Sequence, residues 1–370
     1  MKYTLFFIAS LFFSNTFAQI EKIYLSQILE HQIEQSPKYN QVVNFAMNYI
    51  EERGKATTIE VGDSNIINFV KSNLFPSWLK DADFIFTLLS IQEFEKNNFN
   101  LKIALKTRYY DEEDKIRDFD YYIYNLRIID NLEYINIDYN LRTENFDDFI
   151  YKKQYKYFVK PILNIDKIQL KKVSQYCDSI STIFYNKNYS DQLLYIPTNL
   201  QDAFKIFGFD YCLMATGRYF PNFDMIISVN ETFFDKHELV HAILKNEDFA
   251  YFISEGIATY FGGSNNKTLD NFKSDFRNKV WSNMNETEKN NMVEKFLYSK
   301  DDIMTSQYYT SFLYICSAFI IREVINTNGI EALTKIARMS EKEEKPNDFL
   351  KLWTTTKDGR QFILNLFNEL

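Results

Sequence analysis

The chain has 370 residues, more than one core usually spans, and its 46% hydrophobic and 25% charged content with only 9 Gly and 6 Pro predicts two folded domains without a long flexible linker. Phe, Tyr and Trp make up 17% of it, enough large side chains to fill two cores. A net charge of −8 with no basic run argues against a nucleic-acid partner.

The N-terminus reads as an export signal. Lys2 is the positive region, "YTLFFIASLFF" (3–13) is an apolar stretch too short to span a bilayer, and Thr16 and Ala18 are the small residues before a cleavage point at Gln19. Residues 1–18 are therefore expected to be removed, leaving a secreted or periplasmic protein with no stable membrane insertion. Three cysteines follow, Cys177, Cys212 and Cys316; their spacing is not a metal pattern, and buried free thiols are expected.

Residues 20–95 read as mostly helical. "YLSQILEHQIEQ" (24–35) puts Leu25, Ile28, Leu29 and Ile33 on one face and leaves His31 solvated. "SPKYNQVVNFAMNYIEERG" (36–54) opens on Ser-Pro and closes on Gly54, and 62–74 predicts another short helix. The period then changes to two. "LKIALKTRYY" (101–110) alternates Leu101, Ile103 and Leu105 with Lys102 and Lys106; "DEED" (111–114) is a hairpin tip; 119–129 and 134–141 are further strands. Helices followed by an antiparallel meander predict a small α+β accessory domain over 19–165. From about 166 the pattern becomes helix (167–185), strand (193–197), helix (200–209) and strand (223–229), opening a second domain over 166–370.

That second strand leads into "DKHELVHAIL" (235–244), which holds two of the three histidines of the chain. His237 and His241, four apart on a helix, project from one face about one turn apart and can share one Zn²⁺. Glu238 sits beside the first without ligating, placed to take a proton from a zinc-bound water whose pKa falls to about 7. Leu239, Val240, Ile243 and Leu244 supply the buried side of the helix, and Asn230 or Thr232 is expected to cap it. A catalytic zinc needs a third protein ligand. "FISEGIATYFGG" (252–263) is a second short helix carrying Glu255, with Gly256 allowing close approach; Glu247 and Asp248 fall in the polar turn between and read as cap residues.

"HELVH" followed by "SEGIATYF" resembles the gluzincin zinc metallopeptidases, the thermolysin- and aminopeptidase-like group also called peptidase MA-like. The resemblance spans roughly 166–340 and implies His237, His241 and Glu255 as zinc ligands and Glu238 as general base. It implies a zincin-like catalytic domain, a small mixed sheet with active-site helices and a helical C-terminal lobe, after the α+β domain. It further implies a cleft-lining edge strand that pairs with an extended peptide, a role that 222–230 fits. Similar enzymes use a tyrosine hydroxyl on a later helix against the oxyanion; in "YYTSF" this points to Tyr308, with Tyr309 as the second choice. The expected protein is a zinc-dependent peptidase acting on peptide or protein substrates. A non-catalytic exported binding protein keeping the same scaffold is the alternative.

Overall fold

The structure is a computed structural model that describes residues 20–55, 83–110, 116–130, 135–137, 146–152, 154–159, 163, 167–206, 209–211, 218–221, 224–229, 231–247, 249–264, 267–298, 307–339 and 345–368. The expected signal, the 62–74 helix, the 111–114 tip and Cys212 lie outside these residues. The chain divides into two units, one of 1–139 with 211–213 and one of 140–210 with 214–370, and the class is α+β.

In the first unit a strand β1 (Ile20–Leu25) precedes helices α1 (Gln27–Gln35) and α2 (Pro37–Lys55), followed by strands β2 (Asp83–Glu95), β3 (Asn98–Tyr110), β4 (Ile116–Asp130) and β5 (Ile135–Ile137). The strands lie in sequence order; β1 runs parallel to β2 and the others pair antiparallel as a meander. Two strands replace expected helix. Ser26 ends β1 and caps α1, accepting the Leu29 N–H at 3.1 Å, so Leu25 never joins a helical face and Ile28 is exposed. In β2 the alternation of Phe86 and Leu88 is broken by a register shift before Ile91, which hides its period of two. Phe99, Leu101, Ile103 and Leu105 form the buried face of β3, with Tyr39 of α2 edge-on to Phe99.

The second unit holds a mixed five-stranded sheet of β6 (Asp147–Tyr151), β7 (Tyr155–Val159), β8 (Leu193–Pro197), β10 (Arg218–Phe220) and β11 (Met225–Ser228); a short strand β9 (Phe209–Tyr211) precedes the last two. The order is β10-β11-β8-β7-β6. Because Tyr155 pairs with Leu193, β6 and β7 belong to this sheet, and the division between units falls at Tyr139/Asn140 rather than near 165. β11 is flanked on both sides, so the strand within 222–230 is not an edge; among the described strands the three-residue β10 and β6 end the sheet.

Helix α3 (Lys167–Tyr185) buries Leu170, Val173, Cys177, Ile180 and Phe184, and α4 (Leu200–Ile206) follows β8. The helical lobe consists of α5 (Lys236–Ile243), α6 (Tyr251–Gly262), α7 (Leu269–Lys279), α8 (Glu286–Tyr298), α9 (Gln307–Asn328), α10 (Ala332–Met339), α11 (Pro346–Trp353) and α12 (Gly359–Asn368). Helix α9 is long and apolar enough over Tyr308–Asn328 to match a membrane span by length and composition, but 61% of that window is buried, packed chiefly along α6. Cys177 and Cys316 are buried free thiols, and burial pushes Cys177 up to about 12, which keeps it protonated and inert.

Candidate metal centre

Helix α5 is capped by Asp235, not by Asn230 or Thr232. The Asp235 carboxylate accepts the Glu238 N–H at 3.4 Å, while its own N–H donates to the Tyr195 hydroxyl at 2.8 Å. Thr232 instead accepts the Phe234 N–H in the preceding turn. Leu239, Val240, Ala242 and Ile243 bury one side of the helix, so His237, Glu238 and His241 are left on the other.

Helix α6 brings Glu255 to that side, and three glycines make the approach possible. A Cβ on Gly262 would stand 2.5 Å from the His237 backbone nitrogen, and one on Gly256 would stand 2.8 Å from the Ser317 carbonyl oxygen of α9. Gly263 ends α6 at φ +76, a conformation that favours glycine, and its carbonyl accepts the His237 Nδ1–H at 2.9 Å.

The three donor atoms then meet. His237 Nε2 lies 3.2 Å from Glu255 Oε2 and 3.2 Å from His241 Nε2, and His241 Nε2 lies 3.4 Å from Glu255 Oε2. These are the three residues able to share one ion among those described. A tetrahedral ion with bonds of about 2.0–2.2 Å separates its donors by about 3.3–3.5 Å, so the triangle fits such an ion without rearrangement.

The electrostatics point the same way. With Nδ1–H given to Gly263, a neutral His237 ring presents a lone pair at Nε2, facing another imidazole nitrogen and a carboxylate oxygen. Three lone pairs converging in a buried site repel unless a positive charge lies between them. Without an ion that charge is a proton. Burial works to lower the His237 pKa, but the hydrogen bond it donates to Glu255 and the charges of Glu238 and Glu255 outweigh it and hold it at about 9. Burial likewise opposes ionisation of Glu255, yet His241 and His237 keep its carboxyl far below the usual carboxylate range. Ser254 Oγ sits 3.3 Å from His241 Nδ1 and, with Gly263, orients the pair of rings.

Glu238 does not join the triangle. Its Oε2 accepts the Tyr219 N–H of β10 at 2.6 Å, and burial raises its pKa against the opposing pull of His237 and His241. Thr259, one turn after Glu255, is buried with its hydroxyl unpartnered and does not reach the carboxylate.

The tyrosine at the site is Tyr314. Its ring stacks on His237 with centroids 5.5 Å apart, and burial, then the negative charge of Glu255, pushes its phenol well above the ordinary value. Tyr308 is 59% exposed in the first turn of α9, about 120° round the helix from Tyr314. Tyr309 is buried against Phe312 beneath the Lys295 ammonium. No local pattern marks Tyr314; the Gly256–Ser317 contact sets α9 so that the residue one turn before Ser317 faces Glu255.

No protein-family model matches the chain, and no curated protein matches it.

Proposed function

We propose that the chain is an exported, zinc-dependent peptidase with a zincin-like catalytic unit, hydrolysing peptide bonds in peptide or protein substrates. The observation that carries this is the convergence of His237 Nε2, His241 Nε2 and Glu255 Oε2 at 3.2–3.4 Å, with a buried carboxylate, Glu238, next to it but outside it. A site that only bound a cation would have no use for that fourth, non-ligating acid.

His237, His241 and Glu255 would hold the ion, and Zn²⁺ suits two imidazoles and a carboxylate. When bound, a divalent ion supplies Lewis acidity, polarising the scissile carbonyl and acidifying water. Glu238, whose affinity for a proton is raised by burial, takes the proton from the attacking water as the C–O bond forms. It returns that proton to the leaving amine as the C–N bond breaks. The neutral Tyr314 hydroxyl donates to the developing oxyanion. Strand β10 borders the site, with its Tyr219 N–H committed to Glu238.

The deciding experiment is elemental analysis of the purified full chain, followed by a peptide-library assay. A single Zn²⁺ per chain, lost in His237→Ala and weakened in Glu255→Gln, with chelator-sensitive cleavage, supports the peptidase. Zinc without cleavage by the wild type, or no metal uptake at all, sinks the peptidase and favours a binding protein on the same scaffold. Tyr314→Phe is expected to lower kcat by about 10²–10³-fold with zinc content unchanged, the cost of one oxyanion donor, whereas Tyr308→Phe leaves kcat as it was. Equal kcat in the two variants would remove Tyr314 from this role.

A further inference from the structure

Glu238 is tied to β10 through Tyr219, which is itself held a second time. The Tyr219 N–H reaches its carboxylate at 2.6 Å, and the hydroxyl of the same tyrosine donates to Asp224 Oδ1 at 3.0 Å. Asp224 stands in the turn between β10 and β11 at φ +46, where its carbonyl accepts the Leu194 N–H of β8 at 2.9 Å. Its Oδ1 also accepts from Lys245 Nζ at 2.7 Å, and Lys245 pairs with Asp191 at 3.5 Å. Lys245 directly follows Leu244, the C-cap of α5.

The ties form a closed loop. Helix α5 grips the β10–β11 hairpin with Glu238 in its first turn and with Lys245 past its last. Tyr219 is the shared post: its backbone meets one end and its hydroxyl, through Asp224, the other. Among the described strands β10 pairs with β11, and a strand of three residues holds its position weakly by itself, because few hydrogen bonds resist local opening.

We infer that Lys245, Asp224 and the Tyr219 hydroxyl are positioning residues that fix β10 so that the Tyr219 N–H seats the Glu238 carboxylate, an inference that rests on Glu238 being the general base. A carboxylate on the flexible stem of glutamate has several rotamers, and general-base catalysis needs one. The clamp selects it from outside the triangle of ligands. Lys245 is 17% exposed and Asp224 44%, so their ion pair contributes little to folding. Its loss therefore reads out in the geometry of β10.

Amide hydrogen exchange at position 219 tests this directly, by mass spectrometry of overlapping fragments from the full, zinc-supplemented chain. In Lys245→Met the Tyr219 amide is expected to exchange about tenfold faster or more, with the amides of α5 and the zinc content unchanged. Lys245→Arg restores protection. Tyr219→Phe, which keeps the backbone donor and removes only the hydroxyl, is expected to match Lys245→Met and serves if the lysine variant does not fold. Where peptides are cleaved, both variants lose kcat at nearly constant KM. Unchanged protection in Lys245→Met and Tyr219→Phe overturns the clamp. A wild type that cleaves no peptide overturns the peptidase instead, and exchange still decides the clamp.

Discussion

Glu238→Gln is expected to lower kcat by about 10²–10⁴-fold on any cleaved peptide while zinc content and thermal stability stay as in the wild type. The substitution is nearly isosteric, and the amide oxygen of glutamine can still accept the Tyr219 N–H now held at 2.6 Å. Packing of the side chain and the seat of β10 are therefore kept. The triangle of donor atoms excludes Glu238, so the ion loses no ligand. What disappears is the ability to take and return a proton, a function that burial enhances by raising the pKa of the carboxyl. The measurement is steady-state kinetics on a peptide from the library beside metal analysis of the same preparation. Full kcat in Glu238→Gln would assign the proton transfer to another group. Loss of zinc in that variant would mean that Glu238 serves the ion rather than the water.

Much of this centre was legible because its chemistry is local. Two imidazoles one helical turn apart, an acid between them and a carboxylate on the next short helix need only helical spacing to be read, and the structure brings His237, His241 and Glu255 together. Helices with clean periods, such as 167–185, and the strand 193–197 have the bounds expected of them. What was not legible depends on long-range packing. Tyr314 faces Glu255 because Gly256 lets α9 approach to backbone contact at Ser317, a relation between segments some sixty residues apart. The end strand beside Glu238 is β10, three residues with no period to detect, and only the sheet order reveals it. β1 and β2 looked helical because short apolar runs are ambiguous between the two periods, and the register shift after Leu88 removed the alternation that would have decided.

Zinc is expected to stabilise the chain, and by more as pH rises. In the metal-free protein His237 titrates at about 9, above its ordinary 6.5, so the stability it contributes is complete below about 6.5 and is lost as pH climbs through 9. Glu255 is shifted the other way: its contribution is present above its ordinary 4.5 and is lost only as pH falls through its depressed folded value. The metal-free pair is thus strongest between about pH 4.5 and 6.5 and weakens as pH rises beyond that. An ion takes the place of the His237 proton, so its affinity rises about tenfold per pH unit up to about pH 9 and then levels off. At zinc activities near 10³ times Kd the gain is about 4 kcal/mol, or roughly 8–16 °C in Tm for a unit of this size. Thermal melts with stoichiometric zinc and with chelator, from pH 6.5 to 9.5, should show the gap between the two curves widening with pH. His237→Ala should abolish the gap at every pH. A gap that stays constant or narrows would mean that no proton leaves His237 when the ion enters, and the lone-pair convergence would then not be what recruits the metal.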